Sequence, residues 1–117
     1  MTIKYHQGLT LERWRALSWD RRLLNIASEL MRLKNRIQEG DETLANQAIE
    51  RALELTDLSV ESWPDGKSSS FLHEFLRFRE VLAGFYVSKE KDFQEFMILF
   101  RVFLDLDPVV HNLGLEI

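Results

Sequence analysis

The amino-acid sequence predicts an all-α protein: an up-down-up-down four-helix bundle with a short extra helix at the N-terminus. Apolar residues recur every three or four positions, which is the helical period, and no stretch alternates as a half-buried strand does. Only 5 Gly and 2 Pro interrupt the 117 residues. Good capping residues divide the chain into segments of helical length. The length fits one domain, so we expect residues 1–117 to form a single helical bundle.

Capping residues predict the first three helices. Thr10 caps a short helix that runs to residue 17, and Ser18 caps a second helix that ends at Gly40. Asp41 then caps a third helix, which runs to about residue 58. A connection this short makes helices two and three near-antiparallel neighbours. Residues 59–69 read as a loop, because they contain the turn sequence Pro-Asp-Gly.

The second half of the chain predicts two more helices. Helix four spans about residues 70–87, and Ser88 caps helix five, which ends near Asp107 before Pro108. Residues 109–117 receive no assignment. The phenylalanines of these two helices recur at helical spacing, so we expect an aromatic-rich core between them.

Composition excludes several classes of protein. The chain has no Cys, which rules out disulfides, thiolate metal sites and cysteine nucleophiles. The N-terminus lacks an apolar signal-peptide core, and the longest apolar stretch, residues 96–106, is too short and too charged to span a bilayer. These features predict a cytoplasmic protein with no membrane association. The net charge of −4 argues against general nucleic-acid binding.

The charge is divided unevenly along the chain. Residues 1–40 hold eight basic and four acidic side chains, whereas residues 41–66 hold one basic and seven acidic side chains. Helix two carries a basic face, and helix three carries an acidic face that consists of Glu50, Glu54 and Asp57. The two faces are either solvated or paired with one another, and the alternative is that the basic face binds an anion or nucleic acid. The possible anion-binding face consists of Arg21, Arg22, Arg32 and Arg36.

Arg79 lies within the apolar face of helix four on a helical wheel. An unpaired buried guanidinium is costly, so we expect a carboxylate to meet it. The candidates on neighbouring helices are Asp57, Glu54 and Glu29. This polar network fixes the helix register in one interpretation. In the others, Arg79 extends to the rim, or it binds a phosphate or carboxylate ligand.

Glu54 and Asp57 form an E-x-x-D pair that, together with Glu29, offers oxygen ligands of the kind Mg²⁺ prefers. The arrangement distantly resembles the carboxylates of the all-helical nucleoside-triphosphate pyrophosphohydrolases of the MazG type. That family has a second glutamate cluster on the earlier helix, whereas here arginines share the face of Glu29 and would compete with a metal. We therefore expect no metal site, no cofactor and no catalytic constellation.

Helix five is apolar nearly all round. Ile98 and Val102 lie opposite its main apolar face, one helical turn apart. A bundle helix with two apolar faces is either central or part of an interface. We therefore expect a homodimer or a complex with a protein partner.

Four sequence runs stand out: Trp14-x-x-Leu17-Ser18, Arg22-Leu23-x-Asn25-Ile26-x-Ser28-Glu29-x-x-Arg32, Arg51-Ala52-Leu53-Glu54-Leu55-x-Asp57-Leu58 and Arg77-x-Arg79-Glu80-Val81-Leu82. Together they resemble a family of small uncharacterised prokaryotic helical proteins, over roughly residues 12–86. That resemblance implies a helical bundle and no established activity. The layout also looks loosely like HEPN-type bundles and the substrate-binding subunits of minimal nucleotidyltransferases. The HEPN ribonuclease motif, an Arg followed by His after four to six residues, is absent, because Arg101 and His111 are too far apart.

The leading functional hypothesis is a non-enzymatic bundle that self-associates or binds a protein. The first alternative is a nucleotide- or phosphate-binding bundle, or a metal-dependent nucleotide hydrolase, that uses Glu29, Glu54, Asp57 and Arg79. A weaker alternative is nucleic-acid binding through the arginines of helix two.

Overall fold

The computed structural model describes residues 4–112, and within them the chain is all-α, with six helices and no strand. The helices are α1 (Leu11–Ala16), α2 (Trp19–Glu39), α3 (Glu42–Glu61), α4 (Ser69–Val87), α5 (Phe93–Leu104) and α6 (Pro108–His111). The all-α prediction is confirmed. Every helix in these residues is too short or too polar to cross a bilayer.

The four long helices pack as a closed ring. Helix α2 packs against α3, α3 against α4, α4 against α5, and α5 returns to contact α2. The short α1 packs on α3, and α6 lies against α2 and α5. Only Gly40 and Asp41 join α2 to α3, and a connection this short fits an antiparallel pair. These neighbours match a four-helix bundle with a short additional helix at each end.

Local capping explains where the first three helices begin. The side chains of Thr10, Ser18 and Asp41 each accept a hydrogen bond from a backbone N–H in the following turn. Each cap satisfies a donor that has no partner within the helix. Gly40 ends α2 in the left-handed conformation, at φ 75°, which costs a glycine little.

Helix α3 continues one turn beyond the predicted end near residue 58. Ser59 and Ser62 lie in the segment assigned to a loop, yet their hydroxyl groups donate to the carbonyls of Leu55 and Leu58. Hydrogen bonding one turn back lets Ser59 remain in helical backbone, and Ser62 is the residue that ends the helix. Both serines are buried, so packing against the bundle stabilises this last turn.

The prediction that Ser88 caps helix five was wrong. Ser88 ends α4 instead, and its hydroxyl donates to the carbonyls of Phe85 and Glu90. Asp92 caps α5 by accepting from the backbone N–H of Gln94. The predicted end near Asp107 was also too late: α5 ends at Leu104, and Asp107 caps the separate helix α6.

Phenylalanines form the centre of the core. Their rings lie 5.1 to 6.3 Å apart between centroids in a continuous series that crosses from α4 to α5. Such separations are typical of favourable aromatic contacts. The members of this series are Phe75, Phe78, Phe103, Phe100 and Phe96, and each is fully buried.

A second aromatic cluster closes one end of the bundle. The ring of Trp19 meets those of Trp63, Phe71 and Phe75 edge to face, with centroids 5.0 to 5.5 Å apart. Trp19 lies at the start of α2, and Trp63 follows α3 directly. The cluster therefore joins the α1–α2 junction to the connection between α3 and α4.

Candidate functional site

A buried glutamate on α3 binds the segment that precedes α1. The carboxylate of Glu54 accepts hydrogen bonds from the backbone N–H groups of Lys4 at 2.7 Å, Tyr5 at 3.1 Å and His6 at 2.9 Å. Three consecutive backbone donors aimed at one carboxylate form a strong anion-binding arrangement. Glu54 therefore holds residues 4–6, here called the N-terminal segment, against the bundle.

The imidazole of His6 lies between two carboxylates. Its Nδ1 is 2.7 Å from Oε1 of Glu54, and its Nε2 is 3.3 Å from Oε1 of Glu29. Arg32, one turn after Glu29, contacts the second oxygen of Glu29 at 3.3 Å. The network therefore links the N-terminal segment, α3 and α2 by charged hydrogen bonds.

Opposing effects set the pKa of Glu54. Burial raises this pKa. The hydrogen bonds from the backbone of Tyr5, the side chain and backbone of His6, and the backbone of Lys4 outweigh burial, so the pKa lies below its ordinary value. Glu54 is therefore a stable carboxylate that acts as an acceptor, and it is poorly suited to act as a general acid.

Two tyrosines converge on Glu50, one turn before Glu54. The hydroxyl groups of Tyr5 and Tyr86 donate to different oxygens of this carboxylate. The hydrogen bond to Glu50 is the largest cause that raises the pKa of each tyrosine, since losing the phenolic proton would place two anions together. Glu50 thereby connects the N-terminal segment to α4.

Arg79 meets Asp57. Its Nε and Nη2 donate to the two carboxylate oxygens, with Nη2 at 3.2 Å from Oδ2. Both side chains are about a third exposed, at 39% for Arg79 and 32% for Asp57. The paired carboxylate raises the pKa of Arg79 and outweighs the opposite effect of burial. This bidentate pair links α4 to α3 at the edge of the core.

The contacts divide the four predicted network residues into two groups. Arg79 pairs with Asp57, whereas Glu54 and Glu29 both contact His6. Their hydrogen bonds do not bring all four to one point. Within residues 4–112, no group of three His, Asp or Glu side chains is arranged to hold a metal ion.

The structure separates Arg22 from the other arginines of the predicted basic face. Arg22 is 3% exposed, and its guanidinium donates to backbone carbonyls rather than facing solvent. Arg21 and Arg32 are exposed, and Arg36 pairs with Glu39 at 3.1 Å. Arg22 is buried because the α1–α2 junction and the end of α3 close over it, which a helical wheel does not show.

A surface depression lies beside the His6 network. Its volume is about 560 Å³, and its walls include His6, Glu29, Arg32, Asn25 and Ser28. The walls thus carry one carboxylate, one guanidinium and uncharged polar groups. Of the two buried glutamates, Glu29 lines this depression.

The outer face of α5 presents Ile98 to solvent. Ile98 is 64% exposed, and Val102, one turn later, is half-buried. The neighbouring exposed residues on this helix include Glu95 and Arg101. The two residues expected at an interface therefore differ in exposure: Ile98 projects into solvent, whereas the bundle partly covers Val102.

Comparison with known proteins adds no relationship. The sequence matches no protein-family model and no curated protein, and no solved structure matches the fold.

Proposed function

We propose that the protein is a helical interaction module that self-associates through the outer face of α5. The observation that carries the proposal is Ile98, a large apolar side chain left 64% exposed on a helix that buries four other side chains in the core. Covering an apolar group in this position with a second surface lowers the free energy, because apolar area is removed from water.

Charge complementarity favours a second copy of this chain as the occupant. Glu95 and Arg101 lie three residues before and after Ile98, and both are exposed. If a twofold axis passes at Ile98, two antiparallel α5 helices place Glu95 of one copy level with the partner's Arg101. The reciprocal pair forms at the other end, as a twofold interface requires.

The short helix limits the strength of this contact. Helix α5 has 12 residues and is therefore about 18 Å long, so a contact centred on it covers less area than a standard interface of about 800 Å² per partner. We expect a weak dimer whose population rises with protein concentration.

Sedimentation equilibrium of single variants tests this interface. Ile98→Asp should abolish the dimer, because it places a charge at the centre of the contact. Val87→Asp is the matched control, since Val87 is 77% exposed but lies on α4. A wild-type mass that stays monomeric near millimolar concentration, or an Ile98→Asp variant that still dimerises, would overturn the proposal.

A charge swap tests the antiparallel geometry. Glu95→Arg and Arg101→Glu should each weaken the dimer, because each places like charges opposite one another. The double variant should restore association, since it rebuilds both pairs in reverse. Failure of the double variant to recover association would rule out this arrangement of the helices.

A further inference from the structure

Arg22 is a buried cation without an acidic partner in the described part of the chain. Its Nε donates to the carbonyl of Leu17 at 3.3 Å, and its Nη2 to the carbonyl of Arg15 at 2.9 Å. Its Nη1 lies 3.0 Å from the carbonyl and 3.4 Å from the hydroxyl of Ser62. All of these acceptors are neutral, and within residues 4–112 no carboxylate forms an ion pair with the buried guanidinium.

Two more cations lie around Arg22. The side chain of Arg15 is exposed and makes no ion pair within residues 4–112. Lys67 lies over the rings of Trp19 and Phe71, with its Nζ 4.9 and 5.1 Å from their centroids. The pKa of Arg22 is lowered, first by burial and then by the nearby charge of Arg15. Positive charge therefore accumulates at this end of the bundle.

The three cations line two adjoining depressions. The first, of about 410 Å³, is lined by Arg15, Arg22 and Lys67, and the second, of about 400 Å³, by Arg15, Arg22 and Ser62. We call this combined surface the Arg22 cleft. Asp65 lines both depressions and Glu61 the second, and both carboxylates are exposed. Three cations against two acids leave a net positive charge on a protein of net charge −4.

We propose that the Arg22 cleft binds the phosphate group of a small phosphate monoester. Arg15 and Lys67 would contact the phosphate directly, and Arg22 would supply charge from the wall. Guanidinium groups match the geometry of phosphate oxygens. Depressions of this volume are of small-molecule size.

Calorimetric titration with phenyl phosphate tests this site, with chloride used to hold the ionic strength constant. Wild type should bind saturably, and Arg15→Gln and Lys67→Gln should each weaken binding about tenfold, because each removes a charged hydrogen bond. Both side chains lie outside the core, so both variants should fold. Arg22→Gln is unsuitable, since it also breaks the hydrogen bonds that join the two connections.

Arg21→Gln is the matched control, because Arg21 is exposed and lies outside the cleft. It should bind phenyl phosphate as wild type does. Saturable binding that Arg21→Gln weakens as much as Arg15→Gln would place the anion elsewhere and overturn the proposal. The absence of saturable binding by wild type at up to about 10 mM phenyl phosphate would also overturn it.

Discussion

The Nδ1 of His6 lies 2.7 Å from Oε1 of Glu54, although the two residues are 48 positions apart in the chain. The same carboxylate also accepts the backbone N–H group of His6. One buried side chain on α3 thus determines where the chain runs before its first helix.

Replacement of Glu54 by Gln should destabilise the protein by about 2 kcal/mol, because the charged acceptor of several hydrogen bonds is lost. Urea unfolding measures the change in free energy, and hydrogen exchange at the amides of Tyr5 and His6 should accelerate. Glu74→Gln is the control, since Glu74 is exposed and should leave both measurements unchanged. Unaltered exchange at Tyr5 and His6 in Glu54→Gln would contradict this role.

The contribution of Glu54 should depend on pH. Its pKa is lower in the folded protein than its ordinary value of 4.5, so the folded state binds a proton less readily than the unfolded chain. The stabilisation is therefore complete above the ordinary pKa and is lost as the pH falls through it towards the folded pKa. The difference in unfolding free energy between wild type and Glu54→Gln should shrink between about pH 6 and pH 3. A difference that stays constant over this range would contradict the assignment.

The pair formed by Arg79 and Asp57 should contribute modestly to stability. Because both side chains are about a third exposed, solvent screens their attraction, and we expect a coupling energy of about 0.5 to 1 kcal/mol. A double-mutant cycle with Arg79→Gln and Asp57→Asn measures it. The coupling should fall in high salt, and a value of several kcal/mol that resists salt would show a much drier environment than the structure has.

Truncation of Phe100 to Ala should destabilise the protein by about 3 to 5 kcal/mol, since it opens a cavity in the centre of the aromatic core. Thermal unfolding monitored by circular dichroism measures this loss. Val87→Ala offers a contrast, because Val87 is 77% exposed and should change stability little. Equal effects of the two truncations would show that the core is elsewhere.

The helices were predictable because their signals are local. Ser18, Asp41 and Gly40 act on backbone groups within a few residues, and the spacing of phenylalanines reports directly which face is buried. The predicted cap at Ser88 was wrong because its hydroxyl donates to the carbonyls of Phe85 and Glu90, whereas Asp92 accepts from the backbone N–H of Gln94 at the start of α5.

The polar network was only partly predictable, because much of it depends on segments without periodicity. The sequence indicated that Arg79 needs a carboxylate, and three candidates remained open until the structure placed Asp57 beside it. Nothing in the sequence around His6 indicates that it reaches Glu54, since residues 4–6 form no regular element. The burial of Arg22 was missed for a similar reason. Its acceptors lie at the α1–α2 junction and at the end of α3, and a helical wheel of α2 does not show where those segments run.

The hydrogen bonds of Arg22 also affect which parts of the protein unfold together. Its guanidinium donates to carbonyls of Arg15 and Leu17 at the α1–α2 junction and of Ser62 at the end of α3. Neither connection can detach without leaving a buried cation short of acceptors, which is costly. The two connections should therefore behave as one foldon, and amides on both sides should exchange with solvent in the same opening event.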